Sequence, residues 1–123
     1  MHKAIIIDDE RLARNELKKL LSDFPEVEVI GEAANAAEGI EKIESLMPDL
    51  IFLDLNMPVM DGWGFLAEYE DICNTLAKKN KLYIVSSSIS PHEMERAGNI
   101  SSVSEFIIKP LVKEKFLEIL DNL

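Results

Sequence analysis

Residues 50 to 54 read Leu50-Ile51-Phe52-Leu53-Asp54, four consecutive apolar side chains stopped by an acid. Successive side chains of a strand point to opposite faces, so a strand with one wet face alternates apolar and polar residues. An unbroken apolar run instead fits a strand covered on both faces, as in a parallel sheet flanked by helices. The pattern repeats outward from this stretch. Toward the N-terminus, Lys3-Ala4-Ile5-Ile6-Ile7 stops at Asp8-Asp9-Glu10, and a strand over Val27 to Ile30 is closed by Gly31. Toward the C-terminus, Leu82 to Val85 runs into Ser86-Ser87-Ser88, and Phe106-Ile107-Ile108 runs into Lys109-Pro110.

Helical spacing fills the intervals. Ala13, Leu17, Leu20, Leu21 and Phe24 recur on one face ahead of Pro25. Asn35 is placed to cap a second helix, with Glu38 three residues on, Ala36, Ala37, Ile40, Ile43 and Met47 along one side, and Pro48 at the end. After the turn chemistry of Asp61-Gly62 a third stripe follows in Phe65, Leu66, Tyr69, Cys73 and Leu76. Ser90-Pro91-His92-Glu93 combines a capping residue with proline at the first helical position, which predicts a short helix. Phe116, Ile119, Leu120 and Leu123 line the last one. Five strand-helix units with short connections predict one α/β domain over residues 1–123. Its five-stranded parallel sheet has helices on both faces, a three-layer sandwich.

With 123 residues, 47% of them hydrophobic, the chain can bury a core of its own. It carries 23 acids against 13 bases, a formal charge of -10, which excludes binding nucleic acid or an anionic membrane through its own field. No apolar run reaches membrane length. One cysteine makes no internal disulfide, so a reducing, cytoplasmic setting is expected. The acid is uneven: residues 1 to 62 hold 14 acids and 6 bases, residues 63 to 123 hold 9 and 7.

Four strands end in polar groups: Asp8-Asp9, Asp54, Ser86 and Lys109. In an open parallel sheet the carboxyl ends of the strands share one edge, where ligands bind. Taken singly, Asp8-Asp9-Glu10 could merely charge the first turn of a helix, and Asp54 could be a turn residue. Together they are costly, because like charges about 4 Å apart repel by roughly 4 kcal/mol per pair at an effective dielectric near 20. A compensating cation is implied. Carboxylates without His or Cys select a hard ion such as Mg2+. An Asp beside such a metal is a candidate nucleophile toward phosphorus, with a Ser hydroxyl and a Lys ammonium binding the remaining phosphoryl oxygens.

In five places the chain resembles the receiver domain of two-component response regulators: Ile7-Asp8-Asp9-Glu10, Phe52-Leu53-Asp54-Leu55-Asn56-Met57-Pro58, Met60-Asp61-Gly62, Val85-Ser86-Ser87 and Ile108-Lys109-Pro110. The resemblance implies a flavodoxin-like (βα)5 fold of CheY type with strand order 2-1-3-4-5. It makes Asp54 the phosphoryl acceptor, Asp9 a direct Mg2+ ligand, Asp8 a ligand acting mainly through bound water, and Asn56 a ligand through its backbone carbonyl. Mn2+ is the expected substitute. Ser86 matches the switch hydroxyl, Phe106 the switch aromatic and Lys109 the phosphate-binding lysine.

The implied function is to take phosphate from a sensor histidine kinase or phosphotransfer protein and signal a downstream effector or output domain. The readout surface would be the fifth strand with the last two helices, where Met94, Phe106, Val112 and Phe116 are candidates, with Met94 and Phe116 read as core residues ahead of interface ones. The chain would act as a monomer or a weak phosphorylation-dependent dimer. It would not be an enzyme, beyond assisting its own phosphorylation and dephosphorylation. The first half is similar to receivers that precede a DNA-binding output domain and the second to single-domain receivers, a division that a recombined or designed chain would also give. Two rival functions are a phosphatase with an Asp nucleophile and an interaction module that is never phosphorylated. Against the phosphatase, the position two after Asp54 is Asn56, which cannot serve as acid and base.

Overall fold

In the computed structural model, described over residues 2–54, 62–73, 81–86, 92, 95, 99, 103–108 and 111–121, with backbone alone at 62, 63, 73 and 108, five parallel strands form one sheet. The strands are β1 (His2–Ile7), β2 (Val27–Ala33), β3 (Leu50–Leu53), β4 (Lys81–Ser86) and β5 (Val103–Ile108), in the spatial order β2-β1-β3-β4-β5. The helices are α1 (Arg11–Leu21), α2 (Ala36–Leu46), α3 (Gly62–Cys73) and, C-terminally, α4 (Lys113–Asp121). The flavodoxin-like order implied by the resemblance is therefore the one observed. Of the helix expected from Ser90, only His92 and Glu95 are described as helical, with the Asn99 N–H donating to the Glu95 carbonyl at 3.2 Å. The rest of that segment lies outside the described residues.

Both faces of the sheet are covered, as the unbroken run at Leu50–Leu53 predicted, and each of these four side chains is at most 1% exposed. One layer joins Ile5, Ile7, Ile51 and Leu53 to Ala36 and Ile43 of α2 and to Phe65, Leu66 and Tyr69 of α3. The opposite layer joins Ala4, Ile6, Leu50 and Phe52 to Leu21 and Phe24 on the α1 side and to Phe116 and Ile119 of α4. In it the Phe24 and Phe116 rings lie 4.7 Å apart, and Phe52 sits 5.8 Å from Tyr83.

Three local expectations change. β2 does not stop at Gly31 but runs on to Ala33. It does so through an irregularity in which Ala4 pairs with Val29 and Ile5 with Gly31, so Ile30 is the extra residue. Gly31 is explained by packing: a Cβ there would meet Leu46 Cδ1 at 3.0 Å. In α2, Ala37 faces solvent and Gly39 takes the inward position instead. A Cβ on Gly39 would lie 2.7 Å from Ile7 Cδ1, so the missing side chain lets α2 settle against the end of β1. The α2 cap is as read: Asn35 Oδ1 accepts from the Glu38 N–H at 2.9 Å. Glu38 reaches back to the N–H of Ala34 at 3.2 Å, not to that of Asn35. Met47 closes the helix in the left-handed region at φ 51°.

Candidate functional site

The acids lie where β1 and β3 leave the sheet side by side. The ladder continues one step past the strand ends: the Asp8 N–H donates to the Ala33 carbonyl at 3.0 Å, and the Asp54 N–H to the Ile7 carbonyl at 2.9 Å. These bonds bind both aspartates to the rigid centre of the sheet. Asp8 and Asp54 are buried, at 5% and 4% exposure, and Asp9 is half-buried. One carboxylate oxygen from each of Asp8, Asp9 and Asp54 can be chosen so that all three lie within 4.8 Å of one another.

The N-terminal turn of α1 does not account for the charge. The helix begins at Arg11 with no acid in its first turn, and Glu10 at the cap position makes no side-chain capping bond. Asp8 instead folds its own loop, with Oδ1 accepting from the Glu10 N–H at 2.9 Å. Asp9 Oδ1 is buried and has no hydrogen-bond partner among the described residues. A buried carboxylate oxygen without a donor costs free energy unless something positive meets it. Three carboxylates, all oxygen donors, one of them with a buried and unpartnered oxygen, suit a hard divalent cation such as Mg2+.

The other expected residues divide in two. Ser86 closes β4, the strand beside β3, and is fully buried. Phe106, on β5, pairs in register with Ile84 and packs half-buried against the α2 and α3 layer. Asn56, Lys109 and Met94, by contrast, lie outside the described residues. Of the remaining readout candidates, Val112 is 47% exposed whereas Phe116 is fully buried and belongs to the core. A cavity of about 100 Å³ opens beneath the acids, lined by Asp8, Asp54, Ala13, Leu17, Val85 and Leu111 among others.

Four charged residues around the site, Arg14, Lys18, Glu32 and Lys42, escaped the sequence reading. Arg14, one turn into α1, donates from Nη1 to the Asp8 carbonyl at 2.6 Å and from Nε to Glu32 Oε1 at 2.9 Å. Lys18 donates to the other Glu32 oxygen at 2.5 Å, and Lys42 to the Glu32 backbone carbonyl. Lys18 first and Arg14 second hold the Glu32 carboxyl below the usual glutamate range. The only local signal was an acid set inside the end of a strand, and its partners are 14 and 18 positions away.

The response regulator receiver domain family matches residues 4–121 of the chain. Nitrate/nitrite response regulator protein NarL of Escherichia coli K12 is 37% identical over 117 residues, covering 94% of this chain and 51% of that protein. A protein-glutamate methylesterase/protein-glutamine glutaminase of Geobacter sulfurreducens is 37% identical over 123 residues, covering 98% of this chain and 32% of that one. The chain thus spans about half and about a third of the length of these curated relatives. Among solved structures, the signal receiver domain of the putative response regulator NarL from Mycobacterium tuberculosis superposes with a TM-score of 0.84 at 25% identity, over 98% of this chain and 94% of that one. On the family match and the sheet order together, the chain belongs to the response regulator receiver domain family.

Proposed function

We propose that the chain is a phosphoacceptor domain in which Asp54 takes a phosphoryl group from the phosphohistidine of a sensor histidine kinase or phosphotransfer protein. The observation that carries this reading is the gathering of Asp8, Asp9 and Asp54 at the sheet edge with a buried, unpartnered oxygen on Asp9. A carboxylate oxygen of Asp54 attacks phosphorus and the P–N bond to the donor imidazole breaks; the imidazole nitrogen keeps the electron pair and takes up a proton. Asp8, Asp9 and Asp54 would hold Mg2+ with the Asn56 backbone carbonyl, and the ion, when bound, offsets charge on the phosphoryl oxygens. Lys109, directly after β5, is assigned to the phosphoryl oxygens. Ser86 would hydrogen-bond the new phosphoryl group from the end of β4, and Phe106 would then repack into the space that Ser86 leaves. Phosphorylation in this way biases a pre-existing two-state equilibrium of the face formed by β5, α4 and the segment before β5.

The domain so read is not an enzyme beyond assisting its own phosphorylation and dephosphorylation, and it passes its signal to an output domain or effector protein. Mass spectrometry after incubation with acetyl phosphate and Mg2+ tests it. One phosphoryl group on Asp54, absent from Asp54→Asn, is expected. Modification elsewhere refutes the assignment, steady release of phosphate supports a phosphatase, and no adduct with either acetyl phosphate or beryllofluoride supports an interaction module.

A further inference from the structure

The geometry points to Arg14 as a positioning residue that, anchored by Glu32, fixes the backbone of the acidic loop for cation binding. This rests on the reading of Asp8, Asp9 and Asp54 as a divalent-cation site. Asp8 is held from three directions: its N–H by the Ala33 carbonyl, its carboxylate by the Glu10 N–H, and its carbonyl by Arg14. The Asp8 carbonyl belongs to the peptide that leads into Asp9, so the Arg14 bond sets the plane from which the Asp9 side chain departs. Arg14 can do this because its other donor is fixed. Glu32 adjoins Ala33 on β2, and the contacts close a ring from Asp8 through Ala33, Glu32 and Arg14 back to Asp8. The guanidinium suits the task, since its planar fork serves two acceptors at once. The Arg14 side chain is 12% exposed, too covered for water to replace either bond freely.

Position and charge make opposite predictions here. Arg14 is a cation near a cation site, so if its charge alone mattered, removing it would tighten Mg2+ binding. If it positions the loop, removal loosens binding by about tenfold, the usual scale for groups that orient metal ligands.

Mg2+ binding by calorimetry on the whole chain, with folding checked by circular dichroism, decides between them. Arg14→Ala is expected to bind about tenfold more weakly. Glu32→Ala, which removes the acceptor that holds Arg14 Nε but touches no acid of the site, shifts affinity in the same direction by less. The double variant is no weaker than Arg14→Ala, because both changes break one linkage. Lys18→Ala leaves both Arg14 bonds intact and does not weaken binding. Folded Arg14→Ala with affinity equal to or tighter than the parent overturns the inference, as do losses that add in the double variant. If Arg14→Ala does not fold, unchanged affinity in Glu32→Ala has the same force. Absence of Mg2+ binding in the parent chain instead overturns the cation site itself, and this inference with it.

Discussion

Replacing Asp54 by asparagine should make the metal-free protein more stable, although it removes the proposed phosphoacceptor. The magnitude follows from the site. Asp54 takes part in two of the three carboxylate pairs, whose nearest chosen oxygens lie within 4.8 Å. At that separation two unit charges repel by about 0.9 kcal/mol at the dielectric of water and by about 3.5 kcal/mol at an effective value near 20. Taken at the lower figure the two pairs give about 2 kcal/mol, a floor, since Asp8 and Asp54 are themselves buried. Asparagine keeps the size and one carbonyl oxygen, so little packing is lost. With an unfolding entropy of about 2.1 cal/mol/K per residue, about 2 kcal/mol raises the melting temperature by about 8 °C in a chain of 123 residues. Thermal unfolding in EDTA measures it, and a parallel series in Mg2+ should stabilise the parent more than the variant. A folded Asp54→Asn that melts at or below the parent temperature in EDTA would mean that the acids do not strain one another.

Phe116→Ala should cost about 3–5 kcal/mol, since the ring is fully buried against Phe24 and Phe52. Urea unfolding checks this, and a cost below about 1 kcal/mol would show that the α4 layer collapses around the gap. Asn35→Ala removes the cap of α2 and should cost about 1 kcal/mol in the same assay. Glu32 has its acidity increased in the folded state by Lys18 and Arg14, so its ion pairs add stability that is present above the pKa of the unfolded glutamate. The margin of the parent over Glu32→Gln should therefore be constant above about pH 5 and shrink as pH falls through the lowered folded value. A margin independent of pH down to acid unfolding would contradict the pairing.

The fold was legible where chemistry is local. The unbroken apolar run at Leu50–Leu53 specified a doubly covered strand, and Asn35 with Glu38 specified where α2 begins. Asp8, Asp9 and Asp54 could be singled out because acids at strand ends have no packing use, and the parallel topology did the rest. What escaped depended on distant parts of the chain. Gly31 looks like a stop signal until Leu46 is known to press on it, and Gly39 looks like a weak helix residue until Ile7 is found beneath it. Helical spacing from Ala36, Ile40 and Ile43 already puts Gly39 on the inner face and Ala37 off it, but glycine carries no apolar side chain to mark the position. The linkage of Arg14 to Glu32 joins a helix to the strand beyond it, and no spacing rule reaches that far.

The layer formed by α1 and α4 has a temporal consequence. Beside Leu50, Phe52, Tyr83 and Val85 of the central strands, its apolar wall takes Ala4, Ile6, Leu21, Phe24 and Val27 from one end of the sequence and Ile107, Phe116 and Ile119 from the other. During synthesis the early members leave the ribosome long before their cover exists, at about 5–20 residues per second. The opposite layer is largely assembled from α2 and α3, whose residues follow β1 within the first 73 positions. Vectorial folding can therefore build one side of the sheet while the other stays open to chaperones, and the second side closes only when α4 has been made.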